Sequence, residues 1–291
     1  MIASFLDSWS LFQHAYASGW LIGVLLSLIG VLVVARDQIF IGAAVSQASL
    51  LGIAVGIWLG SLMTVDHQSW WQSDIFHSCM GGLFAILAAL MTAHGGRRAG
   101  QETHEAMTGW VFLVSISMSI LLLSHSPRGL EEINRLLSST IIGAREQDVW
   151  IFAVLTLLTC IALVRFYRPL LLLVLDSEMA QAVGVRTDLL NNLLSIWLGL
   201  AVGFSIHVSG VVYTFASLVL PALAAKNLGR TARSLFFIAP CVSVGTGIVS
   251  FVLANYYDFP PGQMSAACLS FLLVLAWCIR AVRHHISIAC H

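Results

Sequence analysis

Long apolar segments follow one another along almost the whole chain. Each is close to the length of about 20 residues that a helix needs to cross the hydrocarbon core of a bilayer. Asp, Glu, Lys and Arg are confined to the segment ends and to the connections between them. We therefore predict an all-α, polytopic helical membrane protein with about nine transmembrane helices, at residues 11–35, 39–62, 79–94, 107–123, 149–164, 188–206, 208–225, 235–255 and 263–282. The sixth and seventh are separated by almost nothing, and the alternative is one bent span plus a short re-entrant piece.

The composition excludes the main soluble classes. Hydrophobic residues make up 58% of the 291 residues and charged residues only 10%, so a soluble fold could not cover its apolar surface. The formal net charge is zero, which gives no basic field for a nucleic-acid partner. The connections are too short for a separate soluble domain. We predict one membrane domain over residues 1–291.

The basic residues predict the orientation of the chain. With the N-terminus outside and the C-terminus in the cytoplasm, eleven of the fourteen Lys and Arg residues lie in cytoplasmic connections and three lie outside. Cytoplasmic loops carry an excess of Lys and Arg in membrane proteins. The split therefore favours nine helices with this orientation.

No motif for catalysis is present. The single lysine, Lys226, is not part of a G-x-x-x-x-G-K-[ST] phosphate-binding loop, and neither H-E-x-x-H nor G-x-S-x-G occurs. The membrane cores also lack the ionisable groups that coupled secondary carriers use. If the protein moves a substrate uphill, we expect the energy to come from another chain, and we predict that this chain has no catalytic residue.

Few polar side chains interrupt the apolar segments. Gln47, flanked by Ser46 and Ser49, lies in the second segment, and His207 lies near the outer end of the sixth. They are candidates for lining a pathway, although interhelical hydrogen bonding is the commoner role of such residues. Small residues recur at every fourth position in two segments: Ala44, Ala48, Gly52, Gly56 and Gly60, and Ser195, Gly199 and Gly203. This spacing predicts tight helix packing inside the molecule or a dimer interface.

The loop after the second segment carries potential metal ligands. These are Asp66, His67, Asp74 and His77, of which the last two are spaced i, i+3. They are weak candidates for an outer metal-collecting site. The alternative is an ordinary solvated loop.

Four motifs along the chain resemble one known family. Residues 170–185, L-L-L-L-V-L-D-S-E-M-A-Q-A-V-G-V, resemble the cytoplasmic coupling segment of bacterial ABC transporter permeases for zinc, manganese and iron uptake. Arg36 with residues 40–48 resembles that family's R…x-I-G-D-A-L-S-H-A. Residues 220–225 resemble its L-L-x-P-A-A-x-A, and residues 257–262 resemble its outer Y-x-D-x-P-x-G turn.

The resemblance implies a permease of the bacterial plasma membrane that moves divalent metal ions into the cytoplasm. Its implied partners are a cytoplasmic ATPase dimer that binds the ATP, a second permease copy or a paralogous permease, and an extracytoplasmic metal-binding protein. The chain itself is expected to hold no cofactor, because the metal is cargo.

Residues 168–187 are the implied coupling segment, with Asp176, Glu178, Ala180 and Gly184 as the residues that couple it to the ATPase. The local chemistry favours a short helix there, because Asp176 is a good N-cap and Gly184 a good C-terminal stop.

The sequence departs from the family at one important place. The family carries an Asp and a His one turn apart in its second helix, where this chain has Ala43 and Gln47. Three interpretations follow: the degenerate half of a heterodimer, a neutral conduit with selectivity left to the binding protein, or a cargo that is not a bare metal ion. Zinc, manganese and iron are not distinguished. A stand-alone carrier or channel and a non-transporting scaffold are the alternatives from other classes.

Overall fold

The computed structural model describes residues 9–62, 74–95, 104–124, 141–229 and 231–289. Within these ranges the chain is helical apart from short turns. In chain order the helices α1 to α10 are Trp9–Ala35, Ile39–Leu62, Asp74–His94, His104–Ser124, Glu146–Arg165, Tyr167–Leu175, Ser177–Ala182, Thr187–Leu228, Ala232–Tyr257 and Pro261–Ala289. A short 3₁₀ turn, Ile141–Gly143, precedes α5.

Eight of the described helices are long and apolar enough to cross a membrane. The sequence predicts nine, and the difference lies in α8, which joins the predicted sixth and seventh helices into 42 residues. The helical geometry of α8 is broken at Gly210, with φ 78° and ψ 169°. We call the two halves α8a (residues 187–209) and α8b (residues 211–228).

The chain reverses its direction at Gly210. Ser195 of α8a lines a small cavity with Arg36, which follows α1. Lys226 of α8b pairs with Asp37, the next residue after Arg36, at 3.1 Å between Nζ and Oδ1. The N-terminal and C-terminal ends of α8 therefore lie at the same end of the bundle, and the two halves are antiparallel. At 1.5 Å per residue they are about 34 and 27 Å long, so each is close to the length of about 30 Å that crosses the hydrocarbon core.

The described basic residues mark the two ends of the bundle. The end that carries Asp37 and Lys226 also carries Arg280, which donates to Asn227, and Arg233, which lies over the ring of Tyr167. We call it the basic end. The far end holds the 3₁₀ turn and the α9–α10 connection. An excess of Lys and Arg is typical of the cytoplasmic side of a membrane protein.

The stripes of small residues pack helices within the molecule. A Cβ at Gly52 of α2 would overlap the carbonyl oxygen of Met80 in α3, and one at Gly199 of α8a would lie 2.5 Å from the Cα of Ile86. A Cβ at Gly203 would likewise lie 2.6 Å from the Cα of Gly82. Helix α3 is thus held between α2 and α8a by close backbone contact. This confirms the prediction of tight intramolecular packing.

The connection between α9 and α10 differs from expectation in one detail. Glycine is the residue that most readily relieves a tight turn, which favours Gly262 from the sequence. In the structure the left-handed residue is Asp258, with φ 55°, which ends α9. Gly262 instead lies in the first turn of α10, after Pro261. Proline suits that first position because its fixed φ is already helical and its missing N–H would have no partner there.

Candidate functional site: coupling segment, pathway and far-end cavities

The segment between α5 and α8 forms two short helices at the basic end. Helix α6 is anchored against the inner ends of α1 and α9, with the Tyr167 ring 6.2 Å from that of Phe236. Leu170 and Leu173 of α6 are buried. The segment is therefore a fixed part of the bundle's surface.

Helix α7 is closed at both ends by local hydrogen bonds. Asp176 is extended, and its Oδ1 accepts from the N–H of Met179 at 2.9 Å. At the other end Gly184 has φ 88°. Its N–H donates to the Gln181 carbonyl at 2.9 Å, and that of Val185 donates to the Ala180 carbonyl at 3.0 Å. This pair of bonds is the Schellman motif. The predicted cap and stop are both confirmed.

One face of α7 is buried and the other is apolar and exposed. Ala180 is fully buried, and Gln181 Nε2 donates to Thr187 Oγ1 at 2.9 Å, which ties α7 to the start of α8. Met179 and Val183 are 57% and 70% exposed. An exposed apolar face on a rigid, capped helix at the bundle end suits a protein partner. The side chain of Glu178 lies outside the described part of the structure.

The candidate pathway residues of α2 do not share one face. Ser46 and Ser49 are fully buried, and Ser49 faces Gly81 of α3. Gln47 is only half-buried and lies about 100° around the helix from Ser46. The two serines therefore face the inside of the bundle, whereas Gln47 lies one turn beyond Ala43, which is also half-buried.

Three buried oxygens of this helix have no hydrogen-bond partner: Ser46 Oγ, Gln47 Oε1 and Ser49 Oγ. An unpaired polar group is costly where lipid offers no hydrogen bond. The middle of α2 is thus a neutral region that could accept hydrogen bonds from water or cargo.

His207 lies in a different place, at the far end of α8a. It lines a cavity of about 530 Å³ with Ser78 and Cys79 of α3 and with Arg145 and Asp148 at the start of α5. We call this the polar cavity. Helix α5 begins there with a capping interaction, because Asp148 Oδ2 accepts from the N–H of Arg145 at 2.8 Å.

Only part of the predicted outer metal site lies within the described residues. Asp66 and His67 lie outside the described residues, as does the side chain of Asp74, the first residue of α3. His77 is partly buried against Gly56 of α2. Within the described ranges, no group of three or more His, Cys, Asp or Glu side chains could hold a metal ion.

Two features of the site were not predicted. One is the position of the break in α8: the sequence separates its sixth and seventh helices at residue 207. The structure has the positive φ at Gly210, in a run of apolar and small residues that is compatible with helix on both sides. The 3₁₀ turn is the other, and its Ile142 lines the polar cavity. The Ile-Ile-Gly-Ala sequence, between a polar segment and an apolar one, is the feature that could have indicated this turn.

The helical bundle and its polar interior positions are the architecture of a membrane permease. The family comparison agrees. The chain belongs to the ABC 3 transport family, whose model matches residues 8–280.

Several metal transport proteins of other bacteria resemble the chain over most of its length. A probable metal transport system membrane protein of Thermotoga maritima is 27% identical, over 93% of this chain and 91% of the relative. The manganese transport system membrane protein MntC of Halalkalibacterium halodurans is 23% identical, over 93% and 87%. The zinc uptake system membrane protein ZnuB of Haemophilus influenzae is 23% identical, over 88% and 94%.

Solved structures share the fold. PsaBC from Streptococcus pneumoniae, in complex with Fab, superposes with a TM-score of 0.78 at 18% identity, over 95% of each chain. An ABC transporter described as metal-chelate type, in an inward-facing conformation, gives 0.74 at 19% identity, over 93% of this chain and 88% of that one. The protein is accordingly a multi-pass permease subunit of an ABC transporter in the bacterial plasma membrane.

Proposed function

We propose that this permease imports a divalent metal, manganese or zinc before iron, with ATP hydrolysed by a separate cytoplasmic dimer. Names of the relatives support the cargo, since they refer to metal, manganese and zinc transport. The absence of a phosphate-binding loop in the sequence requires that ATP binds elsewhere.

The observation that carries the proposal is the capped helix α7. Asp176 and Gly184 hold α7 in one conformation, and Met179 and Val183 project from it. A rigid element of this kind can follow the closure of an ATPase and pass the movement to α8 through Thr187. We assign residues 168–187 as the coupling segment, with Asp176, Glu178, Ala180 and Gly184 as its functional residues.

The remaining partners follow from the same assignment. A second permease, identical or paralogous, supplies the other half of the membrane dimer, and an extracytoplasmic metal-binding protein delivers cargo to the far end. The polar cavity with His207 is the proposed entrance there. The half-buried face with Ala43 and Gln47 is the proposed conduit, where Gln47 offers a neutral oxygen in the place of a charged ligand.

A second candidate concerns the form of the cargo. Neutral oxygens from Ser and Gln are poor substitutes for the carboxylate and imidazole that bind transition metals. A chelated metal needs only hydrogen bonds from the wall of its pathway. The unpaired oxygen of Gln47 favours this candidate, and so does the structural likeness to a transporter described as metal-chelate type.

The test is transport by the reconstituted complex. The permease, its ATPase and its binding protein are placed in liposomes, and uptake of Mn²⁺, Zn²⁺ and Fe³⁺-siderophore is measured with and without ATP. We expect ATP-dependent uptake of Mn²⁺ or Zn²⁺. Uptake only of the chelate selects the second candidate. Uptake by the permease alone without ATP identifies a stand-alone carrier or channel and contradicts both.

A further inference from the structure

A second far-end cavity, of about 420 Å³, lies between the start of α1, the 3₁₀ turn and the α9–α10 connection. We call it the aromatic cavity. Phe12, Tyr16 and Phe251 form its inner wall, and Phe259 forms its outer edge beside Asp258. It belongs neither to the polar cavity nor to the conduit. Its volume lies within the range of roughly 300–1,000 Å³ that is usual for ligand pockets.

The walls of the aromatic cavity are held rigidly. Tyr16 and Phe251 are buried, with ring centroids 5.6 Å apart, and Phe251 also stacks on Tyr213 at 6.3 Å. The Tyr213 hydroxyl donates to the Gly19 carbonyl at 2.8 Å, so this ring cannot turn freely. Phe259 is 55% exposed but stacks on Tyr257 at 5.9 Å. The cavity is therefore preformed, which lowers the entropy cost of binding.

Among the described lining residues of the aromatic cavity, Asp258 is the one that carries a negative charge. Asp258 is exposed and has a left-handed backbone, which its position at the end of α9 imposes. Among the described residues, none forms a hydrogen bond or ion pair with its carboxylate. Aromatic walls with a single carboxylate at the mouth lack the ligands that a metal ion needs. They match a long side chain with an apolar stem and a cationic head instead.

We propose that the aromatic cavity receives a lysine or arginine side chain of the extracytoplasmic binding protein. The stem packs against Phe12 and Phe251, and the cationic head lies between the Phe259 ring and the Asp258 carboxylate. The inference rests on the proposed function, because that function supplies the partner. Ile142 lines both far-end cavities, so the docked side chain would sit directly beside the proposed cargo entrance.

The experiment measures the affinity of the loaded binding protein for the permease–ATPase complex in nanodiscs. Asp258→Asn keeps the left-handed backbone, which Asn tolerates, and removes the charge. We expect the Kd to rise about tenfold at low salt and to become less sensitive to salt. Glu146→Gln is the matched control, because Glu146 is also an exposed far-end acid but lines neither cavity. Its Kd should equal that of the parent.

Two further variants separate a cation–aromatic contact from apolar packing. Phe259→Tyr keeps an aromatic ring and should bind as the parent does, whereas Phe259→Leu should weaken binding about threefold or more. Asp258→Arg should be rescued by a Lys→Glu or Arg→Glu change in the binding protein. Parent-like binding by Asp258→Asn, or equal binding by the Leu and Tyr variants, overturns the inference and leaves the proposed partnership intact. If the parent complex binds no loaded binding protein, the proposed function itself fails.

Discussion

Gly30 of α1 lies directly against the carbonyl oxygen of Leu218 in α8b, so that a Cβ at Gly30 would overlap that oxygen. The contact brings the backbones of two membrane helices together midway along the bundle. The same two helices are joined at the basic end by the Asp37–Lys226 pair and at the far end by the Tyr213–Gly19 hydrogen bond. Close backbone approach of this kind is a main source of helix association in lipid.

Gly30→Val should destabilise the fold. The neighbour that must move is backbone and not a flexible side chain, so overpacking is expected to cost about 1–3 kcal/mol. Thermal unfolding in detergent measures the effect as a lower midpoint. Gly109→Val in α4 is the control, because a Cβ there meets nothing within 4 Å. Equal midpoints for the two variants would show that α1 and α8b can separate without loss of stability.

Gly210→Ala should destabilise the chain reversal between α8a and α8b. The conformation at φ 78° and ψ 169° is essentially restricted to glycine, and another residue there costs about 1–3 kcal/mol. We expect reduced stability and slower transport. Gly245→Ala in α9 is the control, since it adds the same methyl group to a helical glycine with open space around it. A parent-like Gly210→Ala variant would contradict a fixed reversal at this residue.

Gly184→Val should uncouple the permease from its ATPase. A β-branched residue at φ 88° is strained, and the Schellman bonds that end α7 would be lost. The Cβ itself meets nothing within 4 Å, so the effect is conformational rather than steric. We expect insertion to be normal and stimulation of ATP hydrolysis by loaded binding protein to fall. Gly184→Asn should retain most of the stimulation, because Asn tolerates the left-handed region. Full stimulation of ATP hydrolysis by the Gly184→Val variant would contradict the coupling assignment.

The double variant Ala43→Asp, Gln47→His should retain more metal than the parent. Both positions are half-buried and one turn apart on α2, so an ionised Asp and a neutral His can bind one ion together. Tighter binding is expected to slow transport, because a conduit must also release its cargo.

The measurement for this variant is the metal content of the purified ATP-free permease after exposure to Zn²⁺ or Mn²⁺. The two single variants are the controls. If the double variant holds no more metal than they do, Gln47 does not face the conduit.

Much of the molecule could be predicted from local sequence. The ends of α2 match the predicted segment, and α7 has the cap and stop that Asp176 and Gly184 indicate, because both are decided within a few residues. The pathway could not be predicted so well. Ser46 and Ser49 look equivalent to Gln47 in sequence, yet neighbouring helices bury the two serines and leave Gln47 half-exposed.

The sequence by itself determined that this chain lies in a membrane and which of its segments form the membrane helices. These properties follow from segment length, apolar content and the placement of Lys and Arg, each of which acts without reference to distant residues. Only the tertiary structure decided that α8 turns back at Gly210, and that Phe12, Phe251 and Asp258 meet around one cavity. Both depend on contacts between residues remote in sequence, where the packing of whole helices selects one conformation among several that the local sequence allows.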